Sequence, residues 1–200
     1  MLLLCCGMML FGCADDNGRR KAEQQKTIVV TDSVGRKVEL PYPLERVAVC
    51  NVYNAELITA VGAIDKIVGV DNYIFKDQSG FKNRFNEAQV FGISQNAMNY
   101  EKLAELAPQA VIITGEGTWR DAQEMLDRFG IKVIVINSYY TDQFADNCRL
   151  IGRIFGREEQ AEELVNYFND KLAYIQKQLQ GVPRRSLYFE YRTLGKTAVP

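Results

Sequence analysis

Four short apolar runs rich in β-branched residues, at positions 46–50, 66–70, 110–114 and 132–136, punctuate this chain, and helical segments at 55–61, 100–106 and 121–129 separate most of them. The runs are nearly continuous, as in Val-Ile-Ile at 111–113 and Val-Ile-Val-Ile at 133–136, instead of alternating apolar with polar. A strand apolar along its whole length must be covered on both faces, and the intervening helices are what cover it. The pattern therefore predicts an α/β lobe, a parallel sheet with helices on both faces. Ahead of it, residues 27–32 and 37–40 flank a turn at 33–36 and read as a hairpin, which Pro41 and Pro43 end.

Helix punctuation agrees with this reading. Thr118 followed by Asp121 predicts a capping box, and Gly130 stands where a left-handed C-terminal cap belongs. Thr141 is expected to cap a helix running to about Phe155, stopped by Gly156. From 157 to 180, Ala161, Leu164, Val165, Phe168, Leu172, Ile175 and Leu179 form one helical stripe, which Gly181 and Pro183 terminate. Such a helix is about 36 Å long at 1.5 Å per residue. Residues 186–190 make one more strand candidate, too little to bury its own faces, so residues 181–200 are expected to open a second α/β lobe that is cut short.

Composition removes several functions. Histidine is absent from all 200 residues, which excludes Ser-His-Asp and Cys-His catalysis and zinc sites built on imidazole. A net charge of −1 supplies no attraction for nucleic acid. Gly115-Glu-Gly117 lacks the third glycine of a dinucleotide fingerprint, and neither a phosphate-binding loop nor a G-x-S-x-G elbow occurs. No catalytic set, resident cofactor or metal site is therefore expected. Cys50 and Cys148 are the only cysteines outside the N-terminal segment, and two buried free thiols is the preferred reading, with pairing left open.

The first residues are uncharged and apolar, ending in Leu10-Phe11-Gly12-Cys13 before two aspartates, and are too short to span a bilayer. They resemble a bacterial lipoprotein signal over residues 1–12, which makes Cys13 the lipidated residue, although no basic residue precedes Arg19. Residues 13–26 are polar without apolar period and read as a flexible tether, about 20 Å in mean reach. The expected location is the cell envelope, anchored to a membrane and facing the periplasm or exterior.

Further motifs point to a family. Thr31-Asp-Ser-Val-Gly-Arg-Lys-Val-Glu-Leu-Pro41, Pro43-Leu-Glu-Arg-Val-Ala-Val49, Glu56-Leu-Ile-Thr-Ala-Val-Gly62, Asp65-Lys-Ile-Val-Gly-Val70, Tyr100-Glu-Lys-Leu-Ala-Glu-Leu-Ala-Pro108 and Phe129-Gly-Ile-Lys-Val133 follow in order. Together they resemble the N-terminal lobe of solute-binding proteins of ABC transporters for iron-siderophores, heme and cobalamin, across roughly residues 27–192. The resemblance implies two α/β lobes joined by one long helix, with ligand held between them. Residues 27–156 are then the first lobe, 157–180 the connecting helix and 181–200 the beginning of the second lobe.

Open parallel sheets bind ligands beyond the carboxyl ends of their strands. Those ends carry Tyr53 and Asn54, Tyr73 and Phe75, Trp119, and Tyr139 with Tyr140, which makes the expected cleft rim aromatic and suited to a siderophore, corrin or porphyrin. For each aromatic, covering the edge of the core is the plain alternative. A tyrosine phenolate could ligate ferric iron, or simply pack through a hydrogen bond. Under the resemblance, Tyr191 and Arg192 face the cleft from the second lobe, where the arginine could pair with an anionic ligand. Glu101 in the Tyr-Glu-Lys-Leu motif is expected to dock on the ABC permease subunits; its plain alternative is a first-turn acid favoured by the helix dipole, with Asn99 as cap. The function implied is a lipid-anchored receptor delivering an iron or corrin chelate to an importer. An α/β enzyme and a surface binding protein that has lost transport are the alternatives.

Overall fold

A computed structural model describes residues 26–186 of the chain. The expected hairpin is present: β1 (Thr27–Thr31) pairs antiparallel with β2 (Lys37–Pro41). The four apolar runs form β3 (Val47–Val49), β4 (Ile67–Val70), β5 (Ala110–Ile113) and β6 (Lys132–Val135), all parallel, in the order β4-β3-β5-β6.

Six helices accompany them among the described residues: α1 (Val52–Ala60), α2 (Asn72–Lys76), α3 (Tyr100–Glu105), α4 (Trp119–Asp127), α5 (Phe144–Phe155) and α6 (Glu158–Gln178). Alternate strand residues enter two separate cores. Val47, Val49, Ala110, Ile112, Ile134 and Ile136 pack with Ile58 of α1, Ile151 of α5 and Val165 of α6. Ala48, Cys50, Val111, Ile113, Val133 and Val135 pack on the other side with Leu103 of α3 and Leu126 of α4. These strand side chains are buried on both faces, which is why the runs carry no polar alternation.

The hairpin closes the open edge of the sheet beside β6. Ser33 N–H donates to the Val135 carbonyl (2.9 Å), and Val135 N–H points back to the buried Asp32 carboxylate (3.3 Å). Asp32 in turn accepts from Arg36 Nη2 at 2.6 Å. An edge strand that would otherwise expose its ladder is thereby capped within the chain.

Two predicted caps are corrected. Thr118 precedes α4, yet its hydroxyl makes no cap bond; it lies 3.1 Å from the Gln95 carbonyl, drawn to a neighbouring loop. Thr141 does not cap the long helix either, because a 3₁₀ turn (Thr141–Gln143) intervenes and α5 starts at Phe144. The glycine stops hold: Gly130 (φ 70°) and Gly156 (φ 63°) are left-handed, and Ile131 N–H returns to the Leu126 carbonyl. Cys50 and Cys148 are buried free thiols, and burial pushes Cys148 up to about 11 and Cys50 well above the usual thiol range.

Candidate functional site

From β3 the chain crosses through α1 to β4 on one side, then returns past β3 to β5, with α3 on the opposite face of the sheet. The carboxyl ends of β3 and β5 therefore mark a switch point, where an open α/β sheet leaves a crevice. A depression of about 630 Å³ lies there. Asn51, Tyr53, Glu56, Asp71 and Tyr73 line one side; Ser94, Gln95, Asn96, Thr114 and Glu116 line the other.

Local backbone chemistry builds the first side. Asn51 sits at φ 77° and caps α1, its Oδ1 accepting from Tyr53 N–H at 3.0 Å. This left-handed residue turns the chain straight from β3 into α1, so the helix begins at Val52, earlier than the 55–61 period suggests. Asp71 does the same for α2: its Oδ1 accepts from Ile74 N–H (3.0 Å) and its Oδ2 from Asn51 N–H (3.0 Å), tying the two strand ends together. Burial raises the Asp71 carboxyl above its ordinary value, against the lowering effect of those N–H donors. Tyr53 and Tyr73 ride on the first turns of α1 and α2 and stand 54% and 62% exposed.

Gln95 builds the second side. Its Oε1 accepts from Thr114 N–H (3.0 Å) and the Thr114 hydroxyl (2.8 Å), while its amide nitrogen donates to the Glu116 carbonyl. Gly115 N–H donates to Asn137 Oδ1 at 2.7 Å, and the Tyr139 hydroxyl donates to Glu116 Oε1 at 3.1 Å. Burial first, then the neighbouring Tyr140 and Glu116, raise the Tyr139 hydroxyl well above the usual phenol range, so it stays protonated. Tyr139 and Tyr140 pack with their rings tilted by 47° and centroids 4.3 Å apart.

The expected site residues thus separate. Tyr53 and Tyr73 line the depression together. Tyr139 reaches it through Glu116, with Tyr140 against it. Asn54 is fully buried, donating to the Cys50 carbonyl (3.2 Å) and accepting from the Ser138 hydroxyl (2.6 Å). Phe75 packs against one core. Trp119 packs against the other and carries Arg36 and Arg120 over its ring at 4.4 and 4.2 Å. Glu101 is exposed in the first turn of α3, with Asn99 capping that helix through Lys102 N–H (2.9 Å). Cys13, Tyr191, Arg192 and the strand candidate at 186–190, Ser186 apart, lie outside the described residues.

Sequence reasoning missed Gln95 and Asn96. Their signal was length: between α2 and α3 the only element is a 3₁₀ turn (Glu87–Gln89), and connections this long are seldom idle. Phe81, Phe85 and Phe91 anchor that connection in the cores, leaving its polar 94–96 tip at the depression.

An open parallel sheet with a polar, aromatic-rimmed crevice at its switch point defines an α/β lobe of the kind that binds ligands at its strand ends. The chain belongs to the periplasmic binding protein family, whose model matches residues 47–196. The family is one of periplasmic binding proteins, which implies an extracytoplasmic location. A periplasmic solute binding protein from Veillonella parvula is similar in structure, with 28% identity, a TM-score of 0.64, and coverage of 79% of this chain and 50% of the other. Staphylococcus aureus SirA complexed with staphyloferrin B shares the fold at 20% identity and TM-score 0.63, covering 77% and 51%. Haemophilus influenzae MolA bound to molybdate does so at 21% and 0.68, covering 78% and 55%. The chain spans about half the length of these proteins. A search of curated protein sequences returns no match.

Proposed function

We propose that this chain is the N-terminal part of a lipid-anchored substrate-binding component of an ABC importer. It captures a ferric siderophore, or a related iron or corrin chelate, between two lobes and delivers it to the permease. The observation that carries this reading is the depression at the β3/β5 switch point with Tyr53 and Tyr73 exposed at its rim, in a chain of the periplasmic binding protein family. Flat, amphipathic phenol faces suit the flank of a large chelate. The similar structures complexed with staphyloferrin B and with molybdate support a scaffold that accepts chemically different solutes.

In this reading residues 1–12 are the signal, Cys13 carries the lipid and 13–26 tether the lobe of 27–156. Residues 157–180 connect it to a second lobe, opened by 181–200, whose Tyr191 and Arg192 face the cleft. Glu101 docks on the permease.

The test is titration calorimetry of the purified protein against ferric siderophores, heme and cobalamin. At least one is expected to bind with a Kd below about 10 μM, or roughly −7 kcal/mol. Failure of every member overturns the reading. In whole cells, Glu101→Ala is expected to retain ligand affinity and lose uptake; unchanged uptake removes the docking role.

A further inference from the structure

The switch point of an open α/β sheet ordinarily favours anions, because free backbone N–H groups and helix N-termini converge there. In this chain several of those donors are already taken. Tyr53 N–H is held by Asn51, and Asn51 N–H and Ile74 N–H by Asp71. Thr114 N–H is held by Gln95, and Gly115 N–H by Asn137. The charged residues lining the depression are Glu56, Asp71 and Glu116, with no lysine or arginine among the lining residues. Arg36 and Arg120, which do not line the depression, carry their guanidinium groups over Trp119.

Two of these carboxylates face outward. Asp71 is buried and spent on backbone donors, whereas Glu56 and Glu116 are exposed on opposite sides of the crevice. Glu116 is also fixed in place: Gln95 holds its carbonyl, and Tyr139 donates to one carboxylate oxygen, leaving the other free. A carboxylate held in advance loses less freedom when it meets a partner than a mobile one does. The phenol hydroxyls of Tyr53 and Tyr73, which line the same depression, add further acceptor capacity.

We propose that this lobe selects, among chelates, those presenting a positively charged or hydrogen-bond-donating group such as an ammonium, and disfavours polyanionic ones. Glu116 and Glu56 are the specificity-determining residues. This inference rests on the chelate-capture reading above and names its ligand class.

The test compares three probes on the purified protein by calorimetry: a ferric linear trihydroxamate with a free terminal ammonium, the same chelate N-acetylated, and a ferric tris-catecholate of charge −3. Two half-exposed carboxylates acting on one ammonium correspond to a preference of about tenfold over the acetylated form. That preference should shrink as salt rises, and Glu116→Gln should remove most of it. Equal affinity for the two trihydroxamates, or a catecholate that binds as well as the ammonium form, overturns the charge selection and leaves chelate capture standing. If none of these probes binds but heme or cobalamin does, this inference also fails; if nothing in either panel binds, both readings fail together.

Discussion

At the scale of single residues, the crevice is shaped by side chains that replace missing backbone partners. Asp71 is the sharpest case, since one carboxylate joins the end of β3 to the start of α2. Asp71→Ala leaves two backbone donors without acceptors, one of them buried, at a cost of about 2 kcal/mol, read as a lower urea midpoint. Asp71→Asn keeps an acceptor oxygen and should lose less. The pH dependence has a definite sign. Because burial raises this carboxyl in the folded chain, the folded state binds the proton more tightly than the unfolded state does. Ionising Asp71 therefore detracts from stability as pH rises through the carboxylate range, from about pH 4 upward, and the contribution levels off above the folded-state value. Urea midpoints across that range should show Asp71→Asn flattening this component; an unchanged slope removes the assignment.

At the scale of elements, what could be read in advance followed from periodicity. The four strands and the stripe of α6 were legible because their apolar spacing must match a buried face. The short α2 was not, because five residues give no period and only the Asp71 cap defines it. The side chains at Thr118 and Thr141 misled for a related reason: a cap motif is local, whereas Thr118 answers to the 94–96 loop brought near it only by the fold. Half of the crevice was therefore visible as strand-end tyrosines, and the half built on Gln95 was not. The union of α5 and α6 was also invisible locally. It depends on Gly152, where an added Cβ would stand 2.5 Å from the Ala161 Cβ and 2.9 Å from the Arg157 carbonyl. Gly152→Val must push the two helices apart and should cost about 1–3 kcal/mol, seen as a lower urea midpoint. A midpoint equal to wild type would mean that the helices separate freely.

At the scale of the whole molecule, α6 has two halves with different surroundings. Ala161 and Val165 are buried against the first lobe, while Leu172, Ile175 and Leu179, on the same stripe, are 41%, 50% and 58% exposed. At 1.5 Å per residue the helix is about 32 Å long, so its later turns run well past the contacts made by its first ones. In the proposed two-lobe receptor those later turns are where the second lobe packs. In the 200-residue chain, Leu172→Ala combined with Ile175→Ala removes side chains that are already wet and should change unfolding free energy by less than about 0.5 kcal/mol. In a protein that continues into a second lobe, the same pair becomes a large-to-small change in a buried face, with an expected cost of about 2–5 kcal/mol. Urea unfolding of both lengths checks this, and the difference between them carries the result, because helix propensity contributes equally to each. An equally small effect in the longer protein would remove this stripe from the lobe interface, and with it the assignment of 157–180 as the connecting helix.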